Sequence, residues 1–207
     1  MKTFSVITIF PELIEGYART ALLGRAVAKK LIKVEAVNLR AFSRARHKKV
    51  DDAPFGGGPG MVMQVTPIYR AVKKLKKGKK TRVILFSTRG GVFDQKAARR
   101  LARYDNLIFI AGRYEGVDER VAAHIADEEI SMGDFVLAGG ELPALTVIEA
   151  IARHIPGVLG RSESLEEKKG SYPVYTRPAA IKPASPAGRP AQGKAWKAPD
   201  VLQSGDH

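Results

Sequence analysis

Residues 107–160 read LIFIAGRYEGVDERVAAHIADEEISMGDFVLAGGELPALTVIEAIARHIPGVLG, and they gather most of the chain's unusual positions. Residues 107–111 are a short apolar run between Asn106 and Gly112, which predicts a buried strand. That strand delivers the loop Gly112-Arg113-Tyr114-Glu115-Gly116 at its carboxyl end, where open α/β sheets bind ligands. A second turn, Met132-Gly133-Asp134-Phe135-Val136-Leu137-Ala138-Gly139-Gly140, follows strand-like residues 129–131 and runs into a helix predicted over 141–155. Pro143 suits the first turn of that helix, Leu142, Leu145, Ile148, Ile151 and Ile155 share an apolar face, and Pro156-Gly157 ends it. A single glycine in such a loop is explained by the turn alone. Two clusters within about thirty residues, each carrying charge and an aromatic ring, favour a ligand cradle.

Upstream the pattern alternates between strand and helix. Residues 3–9 predict a buried opening strand, and Pro11 and Glu12 start a helical stretch to residue 30 with a break near Leu23-Gly24. Residues 32–39 predict a strand with Ile32, Val34 and Ala36 on its covered face. Thr66 as cap and Pro67 in the first turn open a helix that ends in the lysine-rich run 73–80. Residues 82–87 are another strand, and Asp94 caps a helix through Arg103. A repeated strand-helix unit predicts an α/β fold, a mainly parallel sheet with helices on both faces. The glycine-rich stretch 50–61, VDDAPFGGGPGM, is not a phosphate loop, because Met61-Val62 stand where Lys-Ser/Thr is required. Pro59 likewise breaks a dinucleotide fingerprint.

At 207 residues the chain is one sizeable domain with a small appendage. Residues 1–160 are expected to be the main domain. Residues 161–207 are expected to be a linker and weakly ordered tail, since 179–199 are rich in Pro, Ala, Gly and Lys. No apolar run is long enough for a membrane span and no signal peptide is evident, so a cytoplasmic protein is expected. Zero cysteines exclude disulfides, thiolate metal sites and a cysteine nucleophile. Four scattered histidines offer no metal-ligand spacing. A formal charge of +14 and a pI near 10.1 point to a polyanionic partner. The densest positive charge is the run 73–80 and the cluster Arg44, Arg46, His47, Lys48 and Lys49. Aromatic content of 7% does not indicate base-stacking platforms.

The segments GRYEGVDER (112–120), EISMGDFVLAGGELPA (129–144) and IPGVLG (155–160), with DDAPFGGGPGMVMQVTP (51–67) and YTRP (175–178), resemble the bacterial tRNA (guanine-N(1)-)-methyltransferase family, TrmD. The resemblance runs over residues 1–178 and implies a SPOUT-type fold with a deep trefoil knot. It implies S-adenosylmethionine as methyl donor, the guanine just 3′ of the tRNA anticodon as acceptor, and a homodimer whose sites use both subunits. It leaves room for Mg²⁺. The implied donor site comprises Ser87, Gly90, Gly112, Tyr114, Glu115, Gly116, Met132, Gly133, Asp134, Phe135, Val136, Leu137, Gly139, Gly140 and Pro143. Thr88 replaces a proline usual in the family, and the stretch 50–61 corresponds to a loop that helps form the target-base site. Family members continue past the position of Ser204-Gly205-Asp206-His207 into a helical tRNA-gripping domain, which is expected to be largely absent here.

Ring nitrogen 1 of guanine is protonated at neutral pH. Methylating it calls for a base for that proton and a positive group for charge building on the adjacent carbonyl oxygen. The resemblance places the arginine at Arg153. The base is an aspartate in most relatives, but Ser164-Leu165-Glu166-Glu167-Lys168-Lys169 has none, which leaves Glu167 or Glu166. Two readings follow: an active tRNA methyltransferase, or a noncatalytic RNA-binding protein that keeps the donor pocket.

Overall fold

The segment KTFSVIT forms strand β1, Lys2–Thr8, in the computed structural model of the chain, and from Phe4 onward it is buried on both faces. The structure describes residues 1–76, 78, 80–160, 170, 172–182 and 195–203. Four further strands join β1 in one sheet. They are β2 (Ile32–Asn38), β5 (Thr81–Val92), β6 (Asn106–Ile110) and β7 (Glu128–Ser131), in the order β2-β1-β6-β5-β7. Every neighbouring pair is parallel. Between β2 and β5 the chain makes a small antiparallel pair, β3 (Asp51–Asp52) and β4 (Val62–Met63).

The period of two along the strands sorts their side chains into two cores. On one face Phe4, Val6, Leu107, Phe109 and Ile84 pack with four helices: α1 (Pro11–Ala18), α2 (Ala21–Ala28), α4 (Gln95–Leu101) and α6 (Glu141–Ala152). Phe109 stacks between Phe4 and Phe86, with centroids 6.4 and 5.7 Å away. On the other face Ile7, Val83, Leu85, Ile108 and Ile110 pack with α3 (Val65–Leu75) and α5 (Glu119–His124). The expected parallel sheet covered on both faces is therefore present.

Several local expectations are corrected. The helical stretch after Pro11 breaks at Arg19-Thr20, not at Leu23-Gly24: Thr20 is extended, and Ala21, the first residue of α2, takes a positive φ of 45°. Thr66 lies inside α3; the cap position is Gln64, whose side chain makes no capping bond. The strand expected over 82–87 extends to Val92, with an irregularity against β7 between Phe86 and Gly91. Asp94 does cap α4, its Oδ1 accepting from the Ala97 N–H at 2.7 Å, although the helix ends at Leu101. In α6 Leu142 is 65% exposed, so the buried face runs through Pro143, Ala144, Leu145, Val147, Ile148, Ile151 and Ala152 instead. Helix α5 was not anticipated; Asp118 caps it by accepting from Arg120 N.

The chain divides into two compact units, Met1–Ser164 and Leu165–His207. In the second, β8 (Ala180–Ile181) pairs antiparallel with β9 (Trp196–Lys197). Within the stretch 179–199, Ile181 faces Trp196 across this ladder.

Candidate functional site

Strands β5, β6 and β7 end side by side, and the loops leaving them enclose a cleft of about 450 Å³. Phe86, Ser87, Thr88 and Arg89 line it from β5, residues 112–117 from the loop after β6, and Met132 with residues 135–140 from the loop after β7; Pro143 of α6 completes it. The loops pass one another at main-chain contact. A β-carbon at Gly140 would stand 2.6 Å from the Ala111 Cα, and the Gly140 N–H donates to the Gly112 carbonyl at 3.0 Å. Ser87 Oγ accepts from the Arg89 N–H, and Ser131 Oγ exchanges hydrogen bonds with the Gly133 main chain.

Two charged groups shape the cleft. At its β7 side Arg89 Nη2 lies 2.7 Å from Glu119 Oε2 and 3.7 Å from Glu129 Oε2. The Glu129 Oε2 atom is buried and has no hydrogen-bond partner among the described residues, a condition a bound donor group would relieve. At the α6 side the Glu141 carboxylate is 1% exposed, accepts from Thr8 Oγ1 at 2.6 Å, and pairs with Arg113 Nε at 2.9 Å. The Arg113 guanidinium lies 4.7 Å from the centroid of the Phe10 ring. Glu141 occupies the first turn of α6, where the helix dipole favours an anion.

The signature of the family described as tRNA (Guanine-1)-methyltransferase TrmD matches residues 1–207. The chain belongs to that family. It is 47% identical over 212 residues to a tRNA (guanine-N(1)-)-methyltransferase of Methylococcus capsulatus, covering 99% of this chain and 79% of that one. The namesake of Brevibacillus brevis is 44% identical over 207 residues, covering 98% of this chain and 80% of that one. The crystal structure of a tRNA methyltransferase from Aquifex aeolicus superposes with a TM-score of 0.80 at 40% identity, covering 99% of this chain and 83% of that one.

Of the positions expected to hold the donor in a TrmD-family protein, Ser87, Gly112, Tyr114, Glu115, Gly116, Met132, Phe135, Val136, Leu137, Gly139, Gly140 and Pro143 line the one cleft. Gly90, Gly133 and Asp134 do not. Gly90 lies under β7, where a β-carbon would meet the Glu129 and Ile130 main chain at 2.5 Å. Asp134 is exposed at the turn tip. Arg153 caps the far end of α6, ten residues beyond Pro143 and so about 15 Å along the helix from the cleft. Its neighbour His154 lies 3.1 Å from Gln95 Nε2 through its own Nε2. Glu166 and Glu167 lie outside the described residues. Among the described residues no group of three or more His, Cys, Asp or Glu could hold a metal ion.

The sequence did not single out Arg113, Glu119, Glu129, Glu141 or Thr8. Arg113 lies inside the loop 112–116, whose glycines carry the stronger sequence signal. Thr8 meets Glu141 across 133 residues of chain, a separation that leaves no local signal. The glycine-rich stretch 50–61 proves to be the turn of the β3–β4 pair, docked on the cleft loop: Glu115 N donates to Met61 O, Met63 N to Gly116 O, and Asp118 N to Met63 O. Phe55 at its tip is 99% exposed. Arg44, Arg46, His47, Lys48 and Lys49 are exposed just before this turn. Part of the charge in the run 73–80 is used internally, with Lys73 over Tyr69, Lys74 over Phe42 and Lys76 4.0 Å from Asp127.

Proposed function

We propose that the chain transfers the methyl group of S-adenosylmethionine to ring nitrogen 1 of the guanine 3′ to the anticodon of tRNA. The observation that carries this is the convergence of the family's glycine loops on one cleft in a chain that matches the family throughout. The residues present fit the donor. The cleft offers main chain at Gly112, Gly139 and Gly140, apolar walls from Phe86, Met132 and Leu137, and a buried Glu129 oxygen that accepts no hydrogen bond among the described residues. When bound, S-adenosylmethionine supplies an electrophilic methyl group on a sulfonium.

The protein's own tasks are then to orient the guanine, accept its nitrogen proton and stabilise the carbonyl oxygen. Arg153 takes the last role and Glu167, or Glu166, receives the proton. Arg153 is remote from the cleft of its own chain, which supports a homodimer in which each donor cleft meets the partner's Arg153. Helices α1 and α6 are neighbours, joined by a Tyr17–Glu149 hydrogen bond, and both leave apolar side chains in solvent, Leu13 at 48% and Leu142 at 65% exposed. A second copy of the chain suits that face. The close main-chain crossings at Gly90 and Gly140 suit a chain threaded through a trefoil knot.

Residues 1–160 act as the donor-binding, catalytic part and 161–207 as its extension. The protein acts in the cytoplasm, and no helix among the described residues is long and apolar enough to cross a membrane. Single-turnover methylation of a tRNA transcript tests the base assignment. Glu167→Gln should remove methyl transfer while both substrates still bind, and Glu166→Gln serves as control. Wild-type rates in both variants would reject these two bases.

A further inference from the structure

The Thr8–Glu141–Arg113 array is absorbed by neither the glycine loops nor the proton-transfer chemistry, yet it is built at a cost. A buried carboxylate is stable only when paired and hydrogen-bonded, and Glu141 has both partners, with Thr8 on one oxygen and Arg113 Nε on the other. The pair also constrains its surroundings: a β-carbon at Gly139 would collide with Arg113 Nε and stand 2.6 Å from Glu141 Oε2. Phe10 covers one face of the guanidinium. Held by Nε and by that ring, Arg113 keeps Nη1 and Nη2 without an acceptor among the described residues, and its side chain is 22% exposed where it lines the cleft. A guanidinium fixed on one edge and open on the other is suited to bind a carboxylate through two donors.

We propose that Arg113 binds the α-carboxylate of the methyl donor, and that Glu141, itself held by Thr8, is the positioning residue that presents it. The proposal rests on the donor reading above. An RNA phosphate is the competing anion. The carboxylate is favoured because Arg113 stands among the donor-cleft residues, in a cleft of about 450 Å³ that matches one nucleoside with an amino-acid tail.

Calorimetry on the full chain with two probes tests it: S-adenosylhomocysteine, which carries the carboxylate, and 5′-methylthioadenosine, which lacks it. Arg113→Met should weaken S-adenosylhomocysteine roughly ten- to a hundredfold and leave 5′-methylthioadenosine within about twofold. Glu141→Gln keeps the shape but replaces the charge-assisted bond to Arg113 Nε with at most a neutral one, and should show the same carboxylate-selective loss to a smaller extent. The double variant Arg113→Met with Glu141→Gln leaves no unpaired buried charge, so the measurement stands even where the single changes fail to fold. Equal weakening of both probes would overturn the proposal, since a collapsed cleft is indifferent to the carboxylate. Unchanged binding of both with a raised KM for tRNA would overturn it in favour of a phosphate. Wild-type protein that binds neither probe would overturn the donor reading itself.

Discussion

Gly139 and Gly140 are adjacent, and the same methyl group added to each meets a different obstacle. At Gly140 it meets main chain, the Ala111 Cα at 2.6 Å, which cannot rotate away. Overpacking of that kind costs about 1–3 kcal/mol, so Gly140→Ala should lower the melting temperature by about 2–4 °C for each kcal/mol lost. An unchanged melting curve would show that the loops do not cross there as described. At Gly139 the obstacle is the Arg113–Glu141 pair rather than a ligand. Gly139→Val should therefore weaken S-adenosylhomocysteine binding about tenfold or more while the protein stays folded, and calorimetry showing wild-type affinity would contradict it. Sequence makes both glycines conspicuous as part of a ligand cradle, but it does not show what a side chain at Gly139 would meet. The actual neighbour comes from the first turn of α6 and, through Thr8, from the first strand, contacts that exist only once the sheet is assembled.

Among the elements, the strands were the most legible. Residues 107–111 are apolar throughout and residues 3–9 mostly so because helices cover both sides of a parallel sheet, and that composition is visible without any fold. The helix boundaries were less so. Thr66 satisfies the composition of a cap, yet α3 starts at Val65 because residue 64 is tied to the β3–β4 pair, with Gln64 N donating to Val50 O at 2.8 Å. Helix α5 spans only Glu119–His124, too short for a periodic signal. One tie between elements was invisible in sequence and has a pH signature. Glu128 of β7 pairs with Arg82 of β5 at 3.0 Å and Arg100 of α4 at 2.7 Å. Burial alone would raise its carboxyl, but hydrogen bonds and charge from Arg100 and Arg82 outweigh it and hold the group below the usual carboxylate range. A depressed folded-state pKa stabilises above the unfolded value and ceases to do so as pH falls through the folded one. Glu128→Gln should thus cost about 1 kcal/mol or less at pH 7, and its thermal melts should approach wild type as pH falls from the ordinary glutamate range through the lower folded-state value. A constant difference across that range would mean the ion pairs contribute nothing.

For the whole molecule, the charge of +14 suits a polyanionic partner, and the proposed second copy would cover the exposed Leu13 of α1 and Leu142 of α6. On the proposed shared-site homodimer, Leu142→Glu should give monomers in sedimentation and abolish tRNA methylation while leaving S-adenosylhomocysteine affinity unchanged. A Leu142→Glu monomer that still methylates tRNA would remove the shared-site account. Binding of tRNA should weaken steeply with salt, since basic side chains on phosphates supply most of it. The most direct measurement is the product itself. Purified protein, S-adenosylmethionine labelled in its methyl group and a tRNA transcript with guanine 3′ to the anticodon are incubated, and the digested RNA is resolved by mass spectrometry. The account predicts labelled 1-methylguanosine from that position and none from a transcript in which adenine replaces the guanine. Binding of both substrates with no methylated nucleoside formed would contradict it and leave a noncatalytic RNA-binding protein.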